Sequence, residues 1–297
     1  MNQAQPMYIV NSDKRGRFDE FAGTASVKKL LFTGATSDIG QSLLREFTSI
    51  YPQMEFILAS RNGSHLLNLV KKFDEETKAR IQITNLPNST LEMPTFVKDI
   101  QGIDSAIICQ GTYGVLGHLK EVNLEGFLKS LFSQLESVII TLRALLELES
   151  QELKVIVLGG GGASQAYEGL SEYGMAKTAI ARLVETIGLE LSPEKFAINF
   201  LGPGPTYSPM VEDVLVATSE SVKIDHRIVE SSKKLKSNTP GISKNLINAC
   251  EYLLSDSCSR ISGKFISSNW DSPKQLSFLS DDNSFTLRRV IPVSQIE

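Results

Sequence analysis

Tyr173 and Lys177 stand four residues apart in the segment SEYGMAK, a spacing that puts a phenol and an ammonium group on one face of a helix. A free phenol has a pKa near ~10 and exchanges protons poorly at neutral pH, whereas a fixed positive charge one turn away favours its anion. Held beside a carbonyl or an alcohol, a phenol tuned in this way can give or take a proton at oxygen while bonding changes at carbon. The chain has seven tyrosines, so the spacing by itself also has a chemically idle reading. The elements that position the pair must decide between the two.

Immediately before the pair, Val155, Ile156, Val157 and Leu158 form a short apolar run, the signature of a strand buried on both faces of a parallel sheet. Residues 159–162 are all glycine. They end the strand where, in open α/β sheets, ligands bind. The helix follows from about Glu172, with Tyr173, Lys177 and Ile180 on one stripe. Nearer the start, Leu30, Leu31 and Phe32 read as a strand running directly into TGATSDIG and a helix over 41–48. Gly34 suits a tight turn and Gly40 a close helix–strand contact, and the free N–H groups of the helix start suit a phosphate. Asp38 stands where a dinucleotide fingerprint carries its middle glycine, and the reading here is that it caps the helix.

Further strands are expected over 56–60, 81–86, 104–109, 195–201 and 264–268, alternating with helices, which implies a parallel doubly wound sheet flanked by helices in a single Rossmann-like α/β domain. The strand over 56–60 ends in Ser60, Arg61 and Asn62 with no acid. In such a fold an acid there prefers a free ribose 2′-hydroxyl and an arginine accommodates a 2′-phosphate, so Arg61 favours NADP(H) over NAD(H). An exposed arginine without a ligand is the other reading. Asn85 at the end of the third strand can hydrogen-bond an adenine amine. A long amphipathic helix is expected over about 119–148, with Asn123 inside it near its start, either at a kink whose freed carbonyl holds a water or facing solvent. Residues 211–241 follow a rigid Pro/Gly loop and are expected to form a helical substrate lid. Residues 1–26 read as an extension with an apolar knot at 7–10, the core domain as 27–270, and 271–297 as a tail in which 277–282 is loose and 285–290 docks.

Composition places the 297-residue chain, 41% hydrophobic and 22% charged, among ordinary globular domains with a sizeable core. A net charge of −4 gives no reason to expect nucleic acid or an anionic membrane as partner. Cys109, Cys250 and Cys258 follow no metal-ligand spacing and read as buried thiols of a reducing compartment, with no metal site expected. No apolar segment reaches the ~18 residues of a membrane span, and the first 25 residues lack a signal-peptide centre. A cytoplasmic location is expected.

Taken together, TGATSDIG at 33–40, the Gln110–Gly111 pair of CQGTYG, VN at 122–123, YGMAK at 173–177, NFLGPGPTYSPM at 199–210 and ISGKF at 261–265 resemble the short-chain dehydrogenase/reductase family over roughly residues 27–270. The GGGGAS loop and the ISGKFISSNWD ending further resemble a bacterial branch associated with carbohydrate or surface-polysaccharide pathways. The resemblance implies Tyr173 as acid–base residue, Lys177 lowering its pKa and holding the nicotinamide ribose, and Asn123 positioning a relay water. It places Gly34, Ile39 and Gly40 around the cofactor pyrophosphate and Pro203, Gly204 and Thr206 against the nicotinamide, with Thr36, Ser37, Asp38, Arg61, Asn85, Gln110 and Gly111 also among the cofactor-binding residues. It also implies a homodimer or homotetramer pairing through the helices over 119–148 and 172–191.

The family's serine is absent, with Gly160 in its place. Ser164 lies beyond a flexible glycine loop and can fold back to supply the missing hydroxyl, or merely close the loop. The expected function is therefore an oxidoreductase interconverting a carbonyl and an alcohol on a small molecule, a sugar or nucleotide-sugar among the candidates. The alternative is a cofactor-binding scaffold or sensor that kept the fold and lost turnover.

Overall fold

The computed structural model describes residues 18, 21, 25–148, 152–238, 241–258, 261–277 and 284–287. Seven parallel strands form one sheet in the order β3-β2-β1-β4-β5-β6-β7. They are β1 (Lys29–Thr33), β2 (Glu55–Ser60), β3 (Ile81–Asn85), β4 (Ser105–Ile108), β5 (Leu153–Leu158), β6 (Phe196–Gly202) and β7 (Lys264–Ser267). The order reverses between β1 and β4, whose ends pair as Thr33 with Ile108. A crevice opens outside the carboxyl ends at such a reversal, and in this architecture ligands bind there.

The strands are apolar throughout because helices cover both faces of the sheet. Leu30 and Phe32 of β1 point into one core with Leu43, Leu44 and Phe47 of α1 (Asp38–Ile50), Leu66 and Leu69 of α2 (Gly63–Val70), and α9 (Lys244–Leu253). Leu31, between them, points into the other with Phe96 of α4 (Met93–Asp99), Val138, Leu142 and Leu145 of α5 (Leu124–Leu146), and Ile180, Val184 and Ile187 of α6 (Ser171–Glu190). One residue of register separates the two cores. The short helices α3 (Glu75–Ala79) and α10 (Pro273–Ser277) complete the set with α7 (Pro209–Ser219) and α8 (His226–Asn238).

Three boundaries differ from the sequence reading. Helix α5 begins at Leu124, not near 119, because residues 118–122 turn on themselves with Val122 N–H donating to the His118 carbonyl. The segment expected as a lid forms two helices broken at 220–225, where Ser221 takes a positive φ of 67°. The core also starts before residue 27: Phe18 has no exposed surface, its ring lies 5.7 Å from that of Tyr252, and its carbonyl accepts from Asn248 Nδ2 at 3.0 Å. The apolar knot at 7–10, and positions 278–282 and 288–290 of the tail, lie outside the described residues. Within the tail, the Phe285 carbonyl accepts from Phe265 N–H at 2.6 Å.

Candidate active site

Helix α6 carries Tyr173 and Lys177 inward, at 8% and 4% exposure. Gly160 and Gly162, in the turn after β5, bear no side chain because the phenol is already there. A Cβ at Gly160 would overlap the Tyr173 hydroxyl, and one at Gly162 would sit 2.5 Å from its ring. On its other side Tyr173 meets Tyr113 edge to face, with centroids 4.9 Å apart and planes at 77°. Burial, reinforced by the phenols of Tyr113 and Tyr167, pushes the Tyr173 pKa well above its ordinary value, while a hydrogen bond from the Gly162 backbone pulls the other way. Lys177 reaches back to the loop after β4, where a Cβ at Gly111 would lie 2.5 Å from Nζ. Burial brings its pKa down to about 8.

The two shifts run in opposite directions, and neither carries a contribution from the other side chain. Both side chains have lost hydration of their charged forms, which raises the phenol and lowers the ammonium.

Of the two readings of Ser164, the structure shows the loop-closing one. The space beside Gly160 is filled by the Tyr173 hydroxyl itself, so it is not waiting for a hydroxyl from elsewhere. Ser164 is exposed and its Oγ donates to the Gly161 carbonyl at 3.3 Å, closing the turn locally. Of the two readings of Asn123, the structure shows the solvent-facing one. It sits outside α5 as an exposed N-cap, its side chain accepting from Gly126 N–H at 2.7 Å, so there is no kink at which it holds a water.

At the sheet reversal, Gly34 adopts a φ of +71° and packs so tightly that a Cβ would overlap the Cys109 carbonyl. A side chain at Gly40 would strike the Gly34 carbonyl. The α1 cap is Ser37, not Asp38: its Oγ accepts from Gly40 N–H at 3.1 Å and donates to the Gly34 carbonyl at 2.9 Å. Asp38 is the first helical residue, and among the described residues the Asp38 and Ile39 N–H groups stand at a helix start whose first donors lack intrahelical partners and where an anion is favoured. Thr36 lies beside them, its carbonyl accepting from Gln41 Nε2 at 2.8 Å.

Gln110 accepts from Thr33 Oγ1, and its Nε2 is buried with no partner among the described residues. An orphaned amide donor at the crevice is costly unless a ligand meets it. With the tight turn at Gly34 and the open helix start, it fits a dinucleotide lying across the ends of β1 and β4.

Arg61 is exposed, and its Nη1 donates to Ser133 Oγ on α5 at 2.7 Å, so it bridges from the end of β2 to the neighbouring helix. Asn85 ends β3 exposed, with Oδ1 facing the start of α2 at Gly63. Beyond β6, Pro203 is buried, Gly204 takes a φ of +77° against Asn269, and Thr206 Oγ1 donates to the Gly204 carbonyl at 3.4 Å. These residues stand at the carboxyl edge with the others.

Sequence reasoning missed Glu172, Gln134, Tyr113 and Tyr167. Glu172, fully buried, accepts from Val115 N–H at 2.7 Å and from Gln134 Nε2 at 2.8 Å. Gln134 was findable, because it falls on the inward stripe Phe127, Leu131, Gln134, Val138, Leu142 of α5, and a polar residue on an apolar seam needs a partner. Glu172 carries no comparable signal, since α6 reads as apolar through Tyr173, Ile180 and Val184. Among the described residues no group of three or more His, Cys, Asp or Glu side chains could hold a metal, and no helix is long and apolar enough to cross a membrane. Cys109, Cys250 and Cys258 are buried free thiols, and burial raises Cys109 to about 11.

Comparison with known proteins agrees with this geometry. A family described as enoyl-(acyl carrier protein) reductase matches residues 37–269. The chain is 23% identical over 199 residues to the vibriobactin-specific 2,3-dihydro-2,3-dihydroxybenzoate dehydrogenase of Vibrio cholerae, covering 63% of this chain and 72% of that protein. It is 24% identical to dehydrogenase/reductase SDR family member 4 of Pongo abelii, over 84% and 88% of the two chains. Among solved structures, a Shigella flexneri protein assigned as a short-chain dehydrogenase and complexed with NADP superposes with a TM-score of 0.64 at 16% identity, covering 81% of this chain and 96% of that one. The KRED1-Pglu enzyme gives 0.68 at 15%, over 80% and 99%. The fold, the paired Tyr173 and Lys177 on α6 and the family match over most of the chain lead to one assignment: the protein belongs to the short-chain dehydrogenase/reductase family and is an NAD(P)-dependent oxidoreductase.

Proposed function

We propose that the protein interconverts a carbonyl and an alcohol on a small molecule, with Tyr173 as the proton-transfer residue and NADP(H) as the preferred cofactor. The observation that carries this reading is the convergence, at the carboxyl edge of β4 and β5, of a buried phenol and a buried ammonium with an orphaned Gln110 amide. When bound, the nicotinamide supplies or accepts the hydride. The chain's residues do the rest. The α1 start and the Gly34 turn hold the pyrophosphate, Gln110 and Asn85 meet the adenosine half, Lys177 binds the ribose, and Pro203, Gly204 and Thr206 back the nicotinamide ring. Tyr173 gives its proton to the carbonyl oxygen in reduction and takes it back in oxidation.

Arg61 supports the 2′-phosphate preference. Its bond to Ser133 is to a neutral hydroxyl, and exchanging that bond for a charge-assisted one to a phosphate gains the difference between the two, about 1 to 1.5 kcal/mol, or roughly tenfold in affinity. The Tyr113 ring lies against Tyr173 and the Tyr167 hydroxyl lies near Gly161, and aromatic rings this close to the phenol support a ring-shaped substrate, a keto-sugar or nucleotide-sugar among them. The proposed setting is the cytoplasm.

Titration of NADPH and NADH fluorescence, followed by turnover on keto-sugars and cyclic ketones, tests the proposal. Tighter NADPH binding, lost in Arg61→Ala, with turnover lost in Tyr173→Phe, is the expected result. Equal affinity for the two cofactors, or binding without turnover on any carbonyl, as for a scaffold, contradicts it.

A further inference from the structure

Directly behind the proposed proton-transfer residue lies a buried polar chain that the reaction leaves unused. Glu172 occupies the first turn of α6 with no exposed surface. Its Oε2 accepts from Val115 N–H at 2.7 Å, and its Oε1 accepts from Gln134 Nε2 at 2.8 Å. Gln134 Oε1 in turn accepts from Thr112 N–H at 3.3 Å. The two ends of the chain are therefore the backbone N–H groups of Thr112 and Val115, and the residues between them are drawn onto α5 and α6. Gly114, at a φ of +70°, lies so close to the carboxylate that a Cβ would overlap it. Tyr113, beside it, is the residue whose ring meets Tyr173.

We infer that Glu172 and Gln134 are a positioning pair that clamps residues 112–115 so that Tyr113 closes over Tyr173 and forms one wall of the substrate site. This rests on the proposed role of Tyr173. The polarity of the chain explains the residue types. Both ends are donors, so the pair must offer an acceptor to each of them. An amide can accept from Thr112 and donate onward, and an acceptor-only group can then receive both that donor and Val115 without leaving a donor of its own unpaired. A carboxylate in the first turn of a helix meets the requirement, and the helix dipole favours its charge there. The substitution Glu172→Gln would oppose a new NH2 group to that of Gln134 or to Val115 N–H, and a buried donor without an acceptor releases the segment.

The same polarity supplies the test. Glu172→Gln breaks the chain, whereas Glu172→Gln combined with Gln134→Glu restores every bond with the charge moved to α5. In that double variant the amide introduced on α6 accepts from Val115 and donates to the carboxylate introduced on α5, which accepts from Thr112. Backbone hydrogen exchange over residues 112–115 is read by mass spectrometry without any substrate, beside kcat, KM and cofactor Kd for a reduced carbonyl. The single variant is expected to exchange about tenfold faster over 112–115 and to lose roughly tenfold in kcat with cofactor Kd unchanged, and the double variant to recover both. As a variant that keeps the clamp, Tyr113→Ala is expected to lower kcat and raise KM with exchange at Thr112 and Val115 unchanged. Unchanged exchange in Glu172→Gln overturns the clamp whether or not a substrate is found. Restored exchange without restored kcat in the double variant, or wild-type kcat and KM in Tyr113→Ala, overturns its link to Tyr173.

Discussion

At Gly160 a single side chain decides whether the phenol keeps its place. A methyl there would overlap the Tyr173 hydroxyl, so Gly160→Ala is expected to displace the phenol and lower turnover by about 10²-fold or more, with cofactor affinity retained. Steady-state kinetics beside a fluorescence titration checks this, and a fully active Gly160→Ala would show that the phenol moves freely. Lys177 makes a second prediction through its depressed pKa of about 8. Below pH 8 the folded state must hold a buried charge that the unfolded chain carries in water; as pH rises from 8 toward the ordinary 10.5 that cost fades. Lys177→Met is therefore expected to be more stable than wild type at pH 7, by on the order of 3 kcal/mol, with the gap narrowing by about pH 10. Urea midpoints at the two pH values measure it, and a pH-independent gap would contradict the assignment. Tyr173 and Lys177 were legible because helical spacing is a local rule. The direction of their pKa shifts was not, because burial depends on Tyr113 and on two glycine loops brought in from other strands.

Elements were legible where a period or a punctuating residue marks them. The alternation of Leu30, Leu31 and Phe32 between two cores follows from a strand buried on both faces, and the Gly-rich turn follows from TGATSDIG. The caps were misread because several polar residues compete at each helix start. Ser37 prevails over Asp38 by bonding both Gly40 and Gly34, and Asn123 is drawn out of α5 by Gly126 N–H. At the end of β7, Asp271 accepts from Ser267 N–H at 2.6 Å while burial raises its carboxyl to about 6. A carboxyl raised in the folded state contributes stability that is full below its unfolded value of 3.8 and is lost as pH rises through about 6. Asp271→Asn keeps an acceptor for Ser267 and is expected to raise Tm at about pH 8 but not at about pH 4. A rise of equal size at both values would assign the effect to something other than ionisation.

The whole molecule leaves an apolar stripe uncovered on α5 and α6: Leu124, Leu128, Phe132 and Ile139, with Met175 and Leu189, are all more than 40% exposed. Side chains of this kind gathered on two adjacent helices suit burial against a second copy of the chain. A Leu128→Glu/Phe132→Glu variant is expected to run as a monomer in light scattering where the wild type runs as a dimer or tetramer. A wild-type monomer at micromolar concentration would contradict this. The doubly wound sheet was legible at this scale from the alternation of strands and helices. The site was legible only in part, because Glu172, Gln134 and Tyr113 meet through contacts that no spacing along the chain encodes. The central claim is that this site moves a hydride to a carbonyl with Tyr173 supplying the proton, and transfer of deuterium from the nicotinamide C4 of labelled NADPH into the alcohol product tests it most directly. Mass spectrometry is expected to find the label on the former carbonyl carbon with the wild type and to find no product with Tyr173→Phe; undiminished labelled product from Tyr173→Phe, or unlabelled product from the wild type, would contradict it.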